Sequence, residues 1–443
     1  MTMKRIFSLM LMSIFALCVM TGSAAARDYN YTGTTSPFAV NGTGHKTVTL
    51  DGVNIAGFPA IKIESTVESV TIILKGENFL EGGIVNSNVP LTIQCENTGA
   101  DHTCDESCGS LIATGSYEAA AIGGGNNSSG SNITIAGGNI TATGGGNGAG
   151  IGGGRECRVS NITMSGGNVT ANGSSNSAGI GGGYKGSASN ITISGGTVNA
   201  TGGSYAAGIG GGREGDGSDI TISGGNVTAT GGGYSGAGIG GGSNGNGTGI
   251  TISDGTVNAT GGTYGAGIGG GQSAPGTEIE ISGGTVNATG GNYAAGIGGG
   301  AGSDGSYISI SGGNVTATGG SHAAGIGGGH EGNGTNITIT TPNVTAQGSN
   351  GAENIGAGQG GSSGNVITPD GGSDPDGSDP DGSDPDGSDP DPEVKPEVKP
   401  EDGPDDEVDV PKTGDSFSLV LWIAATVLSM AGIVLFTSKR KAA

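Results

Sequence analysis

The hexapeptide Gly148-Ala149-Gly150-Ile151-Gly152-Gly153 fits the G-x-G-x-x-G pattern. In that pattern a glycine turn brings backbone N–H groups against a pyrophosphate. The chemistry needs a strand before the motif, a helix after it and an acid about 20 residues on. No helical pattern follows here, and the same six residues return at 236–241 and 265–270. The repetition predicts a structural corner. Glycine is needed there for positive φ and close backbone approach.

A second set of residues moves with these corners. Tyr205, Tyr234, Tyr264 and Tyr293, then His322, each stand just before one. One ring per repeat predicts a row along one edge, stepping about 4.8 Å each time. Such a row either stabilises the fold as a ladder or offers sugar rings a surface with an apolar face and a polar tip. The four tyrosines are the candidate ligand-binding residues.

Stepping out from the motif gives the element pattern. The corner isoleucine falls at 122, 151, 180, 209, 239, 268, 297, 326 and 355, at intervals of 29 residues with one of 30. Ile133-Thr134-Ile135 and its counterparts at 162, 191, 220, 250, 279, 308 and 337 keep the same period, as do Ile140, Val169, Val198 and Val227. Each unit thus holds three short alternating stretches rich in β-branched residues, which read as strands. One strand triplet per unit, closed off by the next unit, predicts an all-β, right-handed parallel β-helix of about 29-residue coils. Ala149, Ile151, Ile162, Met164, Val169 and Ala171 are the expected inward positions of one coil. The composition agrees, with 101 glycines and 4% aromatics in 443 residues, which allows only a thin core. Residues 27–115 carry the same texture with less glycine and read as a cap and irregular coils. Residues 116–362 are the regular repeat.

That opening segment, with Val48-Thr49-Leu50-Asp51-Gly52-Val53-Asn54-Ile55 and Ala60-Ile61-Lys62-Ile63, resembles bacterial carbohydrate-binding proteins with a pectin-lyase-like β-helix. Polysaccharide lyases on such a fold use a Ca²⁺ carboxylate cluster with an Arg or Lys base. Here Arg155, Glu156 and Arg158 share one loop, and Arg213, Glu214 and Asp216 lie two coils further, without stacked carboxylates between them. No pair of acids suggests hydrolysis across a cleft. The reading is no enzyme, no catalytic residue and no resident cofactor or metal. Outward columns such as Thr134, Thr163, Thr192, Thr221 and Thr251 resemble ice-binding arrays, but threonine is also an ordinary solvent-facing strand residue, and Asn199, Asn258 and Asn287 interrupt the neighbouring columns. Asn-x-Thr triplets such as Asn132-Ile133-Thr134 read as turn asparagines leading into strands.

The two ends give an address. Lys4-Arg5, an apolar run and Ser23-Ala24-Ala25-Ala26 make a secretory signal peptide over 1–26. At the other end, Val410-Pro411-Lys412-Thr413-Gly414 precedes an apolar stretch at 417–436 and a basic tail. Twenty apolar residues suffice to cross a bilayer. The three parts of 410–443 together resemble the LPxTG sorting signal of Gram-positive surface proteins. The resemblance implies cleavage by sortase between Thr413 and Gly414, joining of Thr413 to peptidoglycan, and membrane residence only before sorting. Val410 departs from the usual Leu. Residues 363–409 form an acidic, proline-rich wall spacer: 17 of the chain's 39 acids lie at 370–409 against two lysines. Repelling aspartates and prolines keep such a chain extended. Weak Ca²⁺ binding there is allowed by the oxygen-rich composition. The net charge of −23 speaks against nucleic acid, which needs clustered cations.

Four cysteines, Cys95, Cys104, Cys108 and Cys157, follow the signal peptide. An even number outside the cell permits disulfides. Cys104–Cys108 with Cys95–Cys157 is one candidate among three connectivities. Zinc through His102 is disfavoured, because the spacing matches no known finger. The expected function is a wall-anchored surface protein with a non-catalytic carbohydrate-binding or adhesion module. The alternatives are a ligand-free structural or host-interaction rod, and a lyase-like enzyme.

Overall fold

The computed structural model describes residues 28–96 and 108–369. The signal peptide, Cys104, the spacer from residue 370, the sorting motif Val410–Gly414 and the 417–436 span lie outside the described residues. No helix among the described residues is long and apolar enough to cross a membrane.

The chain winds as a parallel β-helix. Each residue pairs with its equivalent one coil on: Ile133 with Ile162, Ile162 with Ile191, Ile191 with Ile220. The same holds for Val169 with Val198 and for Ile151 with Ile180. The Ile-Thr-Ile and Val-Thr-Ala strands belong to one sheet of 21 strands. The nine short Ile-Gly strands, with Phe38–Val40, Ile61–Ile63 and Ile84–Val85, form a second sheet of 12. Twelve coils at about 4.8 Å span roughly 50–55 Å.

Strand alternation decides what faces inward. In Ile133–Ile135 the isoleucines are buried and Thr134 is half-exposed. Ala149, Ile151, Ile162, Met164, Val169 and Ala171 are all fully buried. A single apolar cluster runs from Val40 to Ile339. No coil could close this core alone, because each buries its side chains against the two adjacent coils.

The corners explain the glycine. Gly152 has φ +131°, and a Cβ there would fall on the Gly181 carbonyl oxygen of the next coil. Gly181, Gly210, Gly240, Gly269, Gly298 and Gly327 repeat the conformation at φ +130° to +133°. The motif is thus a stacked corner whose space is filled by the neighbouring backbone.

A second corner uses asparagine. Asn132 stands just before its Ile-Thr-Ile strand, and Asn161, Asn190 and Asn336 bend theirs at the equivalent position; all four have φ between +51° and +62°. Asparagine tolerates this left-handed region better than most residues. The side chains also bond along the axis: Asn161 Nδ2 donates to Asn132 Oδ1 at 2.8 Å, and Asn190 Nδ2 to Asn161 Oδ1 at 2.6 Å. The Asn-x-Thr triplets at 132, 161, 190 and 336 therefore begin on left-handed bends, whereas those at 199, 258 and 287 lie inside strands. Glu278 and Tyr307 occupy the same column at φ +55° without that aptitude.

The two ends of the solenoid are less regular than its middle. Residues 28–96 and 108–115 belong to coils of the same solenoid, starting with a strand at Asp28–Thr35. Their period is hidden because the coils vary in length: Asp28 pairs with Thr47, Lys46 with Val70, Val70 with Leu91, and Leu91 with Ile133. Leucines at 50, 74, 80, 91 and 111 fill this part of the core. The cap is three stacked rings of the first coil. Tyr31 lies 3.9 Å from Phe38 between ring centroids, and Tyr29 lies 6.5 Å from Tyr31. At the far end a last strand, Ser363–Ile367, pairs with Gly334–Ile339. The solenoid thus runs past residue 362 into the segment assigned to the spacer, because Val366 still packs on the core.

Candidate functional site

Two loops flank each Ile-Gly strand. The first follows the Thr-Gly-Gly turn and carries the ring: Thr201-Gly202-Gly203-Ser204-Tyr205. Ala206 N–H closes it on Gly203 O at 2.8 Å. The second follows the Gly-Gly-Gly run and carries Arg155, Tyr184, Arg213, Ser243, Gln272, Ala301 and His330 in successive coils. Backbone bonds join the second loop of one coil to the first loop of the preceding coil. Ser243 N–H donates to Tyr205 O at 2.8 Å, Ala301 N–H to Tyr264 O at 3.0 Å, and His330 N–H to Tyr293 O at 2.9 Å. The two columns therefore share one edge.

The rings on this edge are nearly parallel. Tyr205 and Tyr234 stack with centroids 5.5 Å apart and 12° between planes. Tyr264 and Tyr293 repeat this at 5.5 Å and 12°, and Tyr293 and His322 at 5.5 Å and 10°. Each interior ring thus turns its faces to its neighbours and presents its edge and polar tip outward. His330 packs edge-on against Tyr293 and His322 at 5.7 and 5.4 Å.

The row has one break. The described residues show no ring contact between Tyr234 and Tyr264. The interruption falls at the one 30-residue interval, where Ser235 is inserted after the tyrosine. Ser235 is buried and its hydroxyl donates to Gln272 Oε1 at 2.8 Å. Tyr234 is displaced outward and is 58% exposed.

Residues 116–369 contain four Lys and Arg residues, Arg155, Arg158, Lys185 and Arg213, and two of them lie against rings of this edge. Arg213 sits with Cζ 4.9 Å above the Tyr205 ring, and Lys185 Nζ lies 5.4 Å from the Tyr184 ring. Both are cation–π distances. Arg155 bridges Glu118 at 2.9 Å and Glu156 at 3.0 Å. Those two hydrogen bonds, Glu118 first, raise its pKa above the usual value. Lys185 and Arg213 share Glu214 at 3.6 and 3.7 Å. Sequence reasoning had left Tyr184, Lys185 and His330 out of the site. Their signal was a fixed position after the Gly-Gly-Gly run, parallel to the tyrosine position before it.

The remaining candidates sit elsewhere. Glu118, Glu156 and Glu214 are occupied by cations, and among the described residues no group of three His, Cys, Asp or Glu side chains comes together. Thr134, Thr163, Thr192, Thr221 and Thr251 do line up outward, but the column continues as Glu280 and Ser309. Asn258 and Asn287 bond to each other at 2.9 Å. Cys95 Sγ lies 2.6 Å from Cys108 Sγ, whereas Cys157 is on another loop. The Cys95–Cys157 pairing is therefore not the arrangement of these residues: Cys95 is buried at the end of its strand, against Cys108.

Comparison with known proteins agrees with this geometry. The chain carries seven beta helix repeats. They match at 133–155, 162–184, 191–213, 220–243, 250–272, 279–301 and 308–330, less than half of the chain in all. Each match runs from the Ile-Thr-Ile strand to the second loop of the aromatic edge. No curated protein and no solved structure matches the chain.

Proposed function

We propose that this protein is a non-catalytic carbohydrate-binding or adhesion module, exported and fixed to the Gram-positive cell wall. The observation that carries the reading is the aromatic edge. Tyr205, Tyr234, Tyr264 and Tyr293 stand in one row, with Arg213 and Lys185 against rings of the same edge. Sugars are recognised by such a mixture of ring surface, hydroxyl groups and charged donors. Because the interior ring faces are covered by neighbouring rings, a linear glycan would lie along the row against ring edges and phenol hydroxyls. Tyr234 supplies the open ring face. The sorting motif at Val410–Gly414 supports attachment by sortase, with Thr413 joined to peptidoglycan, and the acidic spacer supports display away from the wall.

The stacking also favours a second reading, a structural rod whose ladder serves stability alone. A panel of insoluble polysaccharides and a glycan array, incubated with the purified protein with and without Ca²⁺, separates the readings. The binding module is retained by a subset of glycans and releases no product. No retention anywhere leaves the structural rod, and release of unsaturated fragments would establish a lyase.

A further inference from the structure

The Ile-Thr-Ile and Val-Thr-Ala strands of a regular coil are close in sequence, as in Ile133–Ile135 and Asn139–Thr143. In one coil the corresponding strands, Leu91–Cys95 and Ser110–Gly115, are separated by a much longer connection. Cys95 is the last residue of the first strand, and Cys108 stands two residues before the second. Both are buried, at 3% and 8% exposure. Cys95 is held by pairing with Leu74. Cys108 is held by Gly109, where a Cβ would fall on the Leu74 backbone, and by Asn139 Nδ2, which donates to Cys108 O at 3.3 Å. The fold thus fixes both backbones and sets the sulfurs 2.6 Å apart.

We infer that Cys95 and Cys108 form a disulfide that closes the neck of this insertion. Covalent closure at about 2.05 Å needs about half an ångström of further approach. The reaction is thiol–disulfide exchange with an external disulfide, such as oxidised glutathione or a disulfide oxidoreductase. One cysteine thiolate attacks the external disulfide and expels one thiol. The second cysteine thiolate then displaces the other, so two protein thiols lose two electrons and two protons overall. Cys157 takes no part. Its thiol is pushed up in pKa by burial, and it hydrogen-bonds Ser129. The crosslink joins the end of Leu91–Cys95 to the residues just before Ser110–Gly115. It also ties the two ends of the 96–107 connection together covalently.

The test uses the full chain equilibrated in an oxidised/reduced glutathione buffer, denatured, alkylated and digested with Glu-C and Asp-N. Cleavage after Glu96 and Glu106 and before Asp101 and Asp105 puts Cys95, Cys104 and Cys108 on separate peptides. The expected result is a linked Cys95–Cys108 peptide that disappears on reduction, with Cys157 alkylated. A C104S/C157S chain should form the same link and melt at a higher temperature oxidised than reduced. A link through Cys104, or alkylation of both Cys95 and Cys108 in the oxidising buffer, overturns the assignment.

Discussion

Replacing Gly240 by alanine should be far more damaging than the same change at Gly233, seven residues earlier in the same coil. Gly240 has φ +131°, and an added Cβ would fall on the Gly269 carbonyl oxygen. An L-residue held at positive φ loses about 1–2 kcal/mol. Overpacking against fixed backbone adds roughly 1–3 kcal/mol. The expected destabilisation is therefore about 2–5 kcal/mol. Gly233 has nothing within 4 Å of its would-be Cβ. Alanine there should be neutral or stabilising by about 0.4–1 kcal/mol, through the unfolded chain. Urea denaturation of both variants reads the difference. Hydrogen exchange adds the location, since a stacked solenoid should lose protection in the altered coil and its immediate neighbours. Equal effects of the two substitutions would refute the corner argument, and with it the claim that the glycine motif is architectural.

Three further outcomes follow from particular side chains. Tyr307→Asn should stabilise by about 0.5–1 kcal/mol in denaturant melts, because it relieves φ +55° at a residue that is 62% exposed. Asn161→Ala should lose about 1–2 kcal/mol, through positive φ and two ladder bonds, while Asn161→Gly should lose less. Cys157 should react slowly with iodoacetamide near pH 8. Burial, and secondarily the Glu156 charge, raise its pKa, so the thiolate fraction is low. The rate should climb as pH rises and should increase on unfolding at fixed pH.

The regular part of the solenoid was legible because its signals are periodic. Ile151, Ile162 and Val169 recur every 29 residues, and alternation alone puts them inside. The opening coils were only partly legible, since Leu91 and Ile133 are register partners despite a 42-residue separation. The asparagine corner left a trace in the sequence, at 132, 161 and 190, but its φ and its axial bonds appear only once coils are stacked. Half of the aromatic edge was visible as Tyr205 to Tyr293. The other half was not, because Arg213 reaches Tyr205, and His330 reaches Tyr293, across loops that only the fold brings together. The ring planes were equally invisible: spacing predicts a row, but not that the faces are turned along the axis. Cys95 and Cys108 meet because of strand ends, which no cysteine spacing encodes.

The most direct test of the proposed binding edge is retention on a polysaccharide that holds the wild-type protein, compared with a chain in which Tyr205, Tyr234, Tyr264 and Tyr293 are all alanine and whose fold is checked by far-UV circular dichroism. The edge account expects retention to fall at least tenfold, a loss of about 1.4 kcal/mol or more. Unchanged retention by the folded variant would contradict it.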